Sequence, residues 1–310
     1  MQVSEITNLT KMRVLLTGAS GFIGRALLPI LSQQGHQILA WSRFAFSEED
    51  ITVNWQAVDL NQSASYRSQL SDFAPEAVIH LAWQGIPDFS FSNSLSNLNL
   101  SLELFQTVLD LECCQKFMVA GSCFELNRLH GECHELDDGI AKDHFTWAKL
   151  SLRSWLQMAT AKYDIKLGWM RIFYVYGPHQ RNASLLPTIL KHLKNGELPS
   201  LKTPLNANDF VFVDDVADGF VKALETDWES GTFHLGSERS TTVLELCRLA
   251  EQSIWGSTAR TEALAAKADL PAQDVNFWAN CQHSHDLLGW EAQTSLQEGI
   301  ARTWEWMQTR

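Results

Sequence analysis

A short apolar run at residues 12–17 (MRVLLT) meets Gly18 at its end, and a helical apolar pattern follows over residues 22–31. A run of this length between turn signals predicts a buried strand, so the opening reads strand, glycine turn, helix. Further buried-strand patterns fall at residues 37–41, 77–81, 117–120 and 167–173, separated by stretches long enough for helices. Such alternation predicts an α/β fold, a doubly wound parallel sheet covered on both faces.

Two of the predicted helices are apolar on more than one side. In residues 94–112, Leu98, Leu102, Phe105 and Leu109 form one stripe, and Leu100, Leu104, Val108 and Leu111 form another. Residues 145–161 carry Trp147, Leu150, Trp155, Leu156 and Met158 spread around the helix. A helix lying on a sheet needs one stripe. The second face has two readings: a helix contact between subunits, with a two-fold homodimer as the commonest assembly, or a thicker core within one chain.

From residue 177 the alternation loosens into a turn-rich segment around one short helix. The sheet is expected to resume at FVFVDDVADGF (residues 210–220). STTVLELCRLAE (residues 240–251) reads as a Ser/Thr-capped helix. The tail carries Trp278, Trp290, Trp304 and Trp306, read as core.

Composition narrows the class. The 310 residues allow one large domain or a large and a small one. No stretch of about 18 apolar residues occurs, and the polar opening MQVSEITNLT lacks a signal-peptide layout, so a cytoplasmic location is expected. The six cysteines show neither paired knuckles nor disulfide density and read as reduced thiols. A net charge of −12 argues against a nucleic-acid or anionic-membrane partner. A small anionic substrate stays open, because it needs only local cations or helix N-termini.

The spacing GASGFIG puts Gly18, Gly21 and Gly24 between strand and helix, with Ser20, Phe22 and Ile23 beside them. There the backbone must turn tightly, admit a pyrophosphate and pack helix on strand. A purely structural turn is the competing reading. Its position at the first strand-helix junction of an alternating chain favours dinucleotide binding. At the end of the second strand a carboxylate would accept from an adenosine ribose hydroxyl, whereas an Arg would meet a 2'-phosphate. The chain has Ser42 and Arg43 there, with no carboxylate until Glu48, so NADP(H) is preferred and NAD(H) remains open.

Together these residues resemble the extended short-chain dehydrogenase/reductases, in the nucleotide-sugar epimerase, dehydratase and 4-ketoreductase branch. The likeness runs over nearly the whole chain: the glycine turn, Asp59-Leu60, the segment His80, Leu81, Ala82 and Trp83, AGSCFEL around Ser122, Phe145 to Lys149, RIFYVYGP (171–178), NDFVFVDDVA (208–217) and LGW (288–290). The resemblance implies a Rossmann-type dinucleotide-binding domain over residues 11–176, with 209–226 returning to it. Residues 177–208 and 227–310 would form a smaller mixed α/β domain binding a nucleotide-activated sugar. Asp59, Leu60, Leu81, Ala82, Trp83 and Lys149 would join the glycine turn in holding the cofactor. Ser122 would hydrogen-bond the reacting oxygen, residue 145 would be the acid/base, and Lys149 would bind the nicotinamide ribose and lower the pKa of that acid. Hydride would move to or from a sugar carbon, commonly C4.

Positions 145 and 149 stand four apart, so on a helix they share a face. An ammonium beside a phenol favours phenolate, but Phe145 has no proton to give or take. Three readings stay open. Phe145 is a deliberate replacement of a Tyr, holding substrate in an unreactive site; or another acid serves, with Tyr174, Cys123 and His144 as candidates; or the chain is a catalytically silent dinucleotide-binding relative. Tyr174 ranks first among the candidates, standing where the resemblance places a substrate-contacting Asn, whereas His144 points about 100° away from residue 145.

The resemblance also implies Arg residues near Asn208 and near Gln273 to grip a diphosphate, and neither is there. Arg181, with its neighbour Asn182, and Arg239 are the candidate substitutes, since guanidinium meets phosphate in a planar fork. Asn208 and Cys123 stay in the expected substrate set, and a substrate other than a nucleotide sugar stays open. HGECHE (130–135) pairs His130 and His134 at four-residue spacing without a metalloprotease order, so no metal site is expected.

Overall fold

The computed structural model describes residues 11–44, 53–126, 128, 130–266 and 273–309. The first half runs β1 (Arg13–Thr17), α1 (Phe22–Gln33), β2 (Gln37–Ser42), β3 (Val53–Ala57), α2 (Ser63–Phe73), β4 (Ala77–His80), α3 (Phe91–Leu109) and β5 (Lys116–Ser122). A 3-10 turn at Cys123–Glu125 leads to β6 (His130–Cys133), α4 (His144–Tyr163), β7 (Lys166–Ile172) and β8 (Tyr174–Tyr176). Then come α5 (Leu185–Lys194), β9 (Ala207–Phe212), α6 (Val213–Glu225), β10 (Gly231–Leu235) and β11 (Ser240–Thr242). The chain closes with α7 (Val243–Trp255), α8 (Ala259–Ala265), β12 (Asn276–Ala279), α9 (Gln282–Leu288) and α10 (Leu296–Gln308).

Seven strands form one parallel sheet in the order β10-β7-β5-β4-β1-β2-β3. Alternate side chains along each strand feed opposite cores. Val14, Leu16, Ile38, Ile79, Met118 and Met170 meet Leu27 and Leu31 of α1 and Phe220 and Leu224 of α6 on one face. Leu15, Leu39, Val78, Phe117 and Leu167 meet Leu104, Phe105 and Val108 of α3 and Leu152 and Leu156 of α4 on the other. Burial on both faces is why these strands read as unbroken apolar runs. The doubly wound, Rossmann-type expectation therefore holds.

A second, mixed sheet has the order β11-β9-β12-β6, with β8 alongside β9. β11 pairs β9 antiparallel, and the other pairs are parallel.

Several expectations change. β3, VNWQA, was not foreseen; it lies at the sheet's edge and none of its positions is fully buried, so it has no apolar run to read. β10 lies in the stretch expected in the smaller domain, yet it is the seventh strand of the main sheet. The segment expected to return to the main sheet at 209–226 divides: β9 joins the second sheet, while α6 packs against α1 over the first. The first four residues of HGECHE supply strand β6.

α4 starts where Asp143 accepts the Thr146 N–H at 2.7 Å in a capping box. Its neighbour α3 packs alongside it, which covers much of the second apolar stripe from within the chain. Among the described residues, no helix is long and apolar enough to cross a membrane.

Candidate active site

β1, β2, β4 and β5 end at the same edge of the parallel sheet, and the chain after β1, β2 and β4 lines a cleft. Gly18 turns with φ +72°, and a Cβ there would come within 2.9 Å of the Ala82 backbone nitrogen. At Gly24 a Cβ would sit 2.4 Å from the Gly18 carbonyl oxygen, so the helix could not approach the strand. α1 begins at Gly21 with no side-chain cap and no acidic residue in its first turn, which leaves its N-terminal dipole for an anion. Thr17, Gly18, Ser20 and Gly21 form one wall, Trp41, Ser42 and Arg43 the next, and Leu60, Leu81, Ala82, Trp83 and Gln84 the far side.

The indole nitrogens of Trp41 and Trp83, both in this lining, are buried without a hydrogen-bond partner among the described residues. A cradle that a Cβ would fill, an uncapped helix start and two orphaned donors fit an acceptor-rich dinucleotide. Gly18→Ala is expected to cost about 1–3 kcal/mol, from the left-handed backbone and the clash with Ala82. Urea unfolding would measure that loss, and nicotinamide fluorescence the accompanying weakening of binding.

Beneath the cleft runs a buried hydrogen-bond chain. Thr17 Oγ1 lies 2.8 Å from His80 Nδ1, His80 Nε2 lies 3.1 Å from Ser101 Oγ, and Ser101 Oγ donates to the Asn97 carbonyl at 2.8 Å. Burial holds the His80 pKa down to about 3, with the Lys149 charge adding to the shift. The unfolded histidine, with its ordinary pKa of 6.5, takes up a proton first. The His80 contribution to stability is therefore complete above about pH 6.5 and is lost toward pH 3, by up to about 1.4 kcal/mol per pH unit. His80→Asn should flatten that slope in urea unfolding measured between pH 7 and pH 4.

Ser122 closes β5. Its Oγ accepts the Phe124 N–H at 3.2 Å, which leaves the hydroxyl proton available to donate. Its own N–H donates to Glu125 Oε1 at 2.7 Å. Glu125 is fully buried; Oε2 accepts from Trp169 Nε1 at 2.9 Å and lies 3.5 Å from Arg171 Nε. Lys149 is 5% exposed, donates to the Ala120 carbonyl at 2.8 Å, and lies 4.0 Å from the centre of the Trp83 ring. Burial pushes its pKa down to about 8, against the pull of the Glu125 carboxylate. The Phe145 ring centre is 6.0 Å from that ammonium, with Trp83 edge-on at 5.4 Å and Phe89 at 4.8 Å.

The other expected residues spread more widely. Asp59 turns its exposed carboxylate to Asn61, a bond that holds its pKa low, while Leu60 enters the cleft lining. Phe22, Arg181 and Asn182 line an adjoining recess with Ser20 and Gly21, and Arg181 donates to the Ile86 carbonyl at 2.6 Å. Ile23 packs against the core. Tyr174 sits among Phe124, Phe210 and Phe277 at 5.8, 5.9 and 6.1 Å, and burial pushes its phenol up.

Cys123 is 4% exposed, its thiol also pushed up by burial, and His144 turns to Phe91 at 5.4 Å. Asn208 is buried on β9; Arg239 lines a separate recess with Phe210, and Gln273 donates to the Leu205 carbonyl. Among the described residues, no three His, Cys, Asp or Glu side chains are placed to hold a metal ion. Sequence reading missed Glu125, Phe89 and Trp41, because their roles depend on partners distant in the chain.

This fold and cleft are those of an extended short-chain dehydrogenase/reductase. The family description "NAD dependent epimerase/dehydratase family" matches residues 14–236, and the chain belongs to that family. It is an oxidoreductase or epimerase of that type. UDP-glucose 4-epimerase of Mycolicibacterium smegmatis is 24% identical over 320 residues, covering 96% of this chain and 99% of the relative. CDP-abequose synthase of Salmonella muenchen is 23% identical over 298 residues, covering 94% and 96%. Among solved structures, UDP-glucose 4-epimerase from Thermotoga maritima with UDP-glucose superposes with a TM-score of 0.80 at 22% identity, covering 96% and 99%. A tyrosine-to-phenylalanine mutant of UDP-glucuronic acid 4-epimerase from Bacillus cereus, in complex with a fluorinated sugar nucleotide and NAD, superposes with a TM-score of 0.79 at 21% identity, covering 96% and 99%.

Proposed function

We propose that the chain is a nicotinamide-dependent reductase or epimerase acting at C4 of a nucleotide-activated keto or deoxy sugar, with Phe145 in the acid/base position. What supports this reading is that Lys149 and Phe145 both pack against Trp83 of the cleft lining, while Lys149 donates to the Ala120 carbonyl, two residues before Ser122 on β5. Ser122 keeps a hydroxyl proton to donate where charge develops on oxygen. Relatives named for UDP-glucose and CDP-abequose chemistry support the substrate class. Ser42 and Arg43 at the end of β2 support NADP(H) over NAD(H), though the solved neighbours named for a cofactor carry NAD.

Arg181 and Asn182, beside the glycine turn, are the proposed grip on the substrate diphosphate. A homodimer through α3 and α4 is supported by Phe91 and Met158, 53% and 69% exposed on those helices.

A second reading, a silent dinucleotide-binding relative, draws on the packing of Phe145 between Trp83 and Phe89, which fills the acid's place with rings. Titration with NADPH and NADH by nicotinamide fluorescence tests the shared premise, since binding of neither would end both readings. Turnover of a panel of nucleotide 4-keto sugars then separates them. Dinucleotide consumed in step with product would indicate reduction, and dinucleotide recycled would indicate epimerisation.

A further inference from the structure

Hydride addition to a carbonyl leaves charge on oxygen that a nearby acid must neutralise, and Phe145 cannot be that acid. The groups around Ser122 can be taken in turn. The Cys123 thiol is buried and its pKa raised, and the Tyr174 phenol is raised likewise within its aromatic cluster. His144 faces Phe91. His80 already has Thr17 and Ser101 on its two nitrogens. Glu125 spends its oxygens on Ser122 N–H and Trp169.

Lys149 differs from all of these. An ammonium has three N–H donors, and among the described residues one hydrogen bond is made, to the Ala120 carbonyl. Ala120 lies two residues before Ser122 on β5, so the ammonium is anchored to the strand end that presents the serine hydroxyl. It also rests over Trp83, which lines the cleft. One helical turn earlier, Phe145 supplies a ring and no hydroxyl on the same helix face.

We propose that Lys149 is itself the proton donor and acceptor at the reacting oxygen, in place of the absent phenol. This rests on the proposed function and deepens it. In the reducing direction the substrate carbonyl carbon gains the hydride that a reduced nicotinamide supplies, and the carbonyl π pair moves to oxygen. A Lys149 N–H bond breaks as the O–H bond forms, and the neutral amine regains its proton from solvent. In the oxidising direction the neutral amine takes the hydroxyl proton while the hydride leaves carbon. Burial prepares Lys149 for both directions by bringing its pKa down to about 8. The charged or titratable groups facing it are Glu125 after β5, which opposes that shift, and His80 at the end of β4. Arg171 of β7 stands behind Glu125, and Arg153, one turn on along α4, donates to Thr232.

Three measurements test the assignment. In the cofactor-free protein with 15N-labelled lysine, the Nζ resonance absent from Lys149→Met should titrate near pH 8, and a lysine still charged above pH 10 would overturn the proposal. Lys149→Ala should lose roughly a hundred- to ten-thousandfold in kcat while NADPH affinity changes far less, and methylamine should restore part of the rate. A lysine that only grips ribose would instead lose binding and gain nothing from the amine, which would overturn the proposal. If either variant fails to fold, the unaltered chain decides. Its rate of ketone reduction must fall as pH rises through the lysine's titration, and a flat profile would count against Lys149. Failure to turn over any sugar with dinucleotide bound would end the proposed function and this assignment together; turnover without the pH limb or amine rescue would end this assignment alone.

Discussion

Glu125→Ala is expected to destabilise the fold by about 3–5 kcal/mol, because it leaves a buried guanidinium without its counter-charge. Glu125 and Arg171 are both completely buried. The Arg171 Nε is 3.5 Å from the carboxylate, close enough to pair in charge, yet among the described residues neither Nε nor Nη2 finds a well-aligned hydrogen bond. Nη1 does, with His234 Nε2 at 3.1 Å and the Asp137 carbonyl at 3.5 Å, and burial with the Arg171 charge keeps that histidine's pKa well below its ordinary value. Removing the carboxylate therefore strands a cation, an indole N–H and the Ser122 N–H at once. Urea unfolding would measure the loss. Glu125→Gln keeps an oxygen for one donor and should cost less. Pairing it with Arg171→Met should cost less than the sum of the two single changes, since the second change removes the stranded charge. Because Glu125 also opposes the downward shift at Lys149, Glu125→Gln should lower the lysine's titration further even where the fold survives.

The parts that could be read from the sequence are those whose cause is local. The strands of the main sheet's centre show as apolar runs because each is covered on both sides, and the glycine turn shows because Gly18 takes a left-handed backbone and Gly24 answers to the Gly18 and Ala19 backbone a few residues before it. β3 did not show, because an edge strand has no need of a continuous apolar run. The sheet to which β9 belongs is decided by β8, β11 and β12, none of which its own pattern specifies. In the proposed site, Ser122 and Lys149 are picked out by spacing and resemblance. The function of Glu125 depends on Trp169 and Arg171, across 44 and 46 positions of chain, and nothing in the letters around it marks a carboxylate that will be entirely enclosed. Tyr174 met the same limit: three rings from other elements make its phenol a poor acid.

With Lys149 already donating a proton in the role proposed above, Phe145→Tyr is expected to raise the rate of reduction of a nucleotide 4-keto sugar by roughly tenfold to a hundredfold, at or below the lower end of what a positioned general acid supplies, equivalent to about 1.4–2.7 kcal/mol of barrier. The ring is already in place, 5% exposed and on the same helix face as Lys149. The ring centre lies 6.0 Å from the ammonium, and an ammonium beside a phenol favours its ionised form. The opposing effect comes from Trp83 and Phe89, whose rings crowd the site at 5.4 and 4.8 Å. A phenol enclosed by them without a partner would cost about 1–3 kcal/mol of stability. Rate and stability therefore have to be read together. A large gain in single-turnover hydride transfer with an unchanged unfolding midpoint means the hydroxyl meets Lys149 and substrate. An unchanged rate with a lowered midpoint means it has been trapped among the rings, and position 145 could then no longer be held to be the acid/base position of this site.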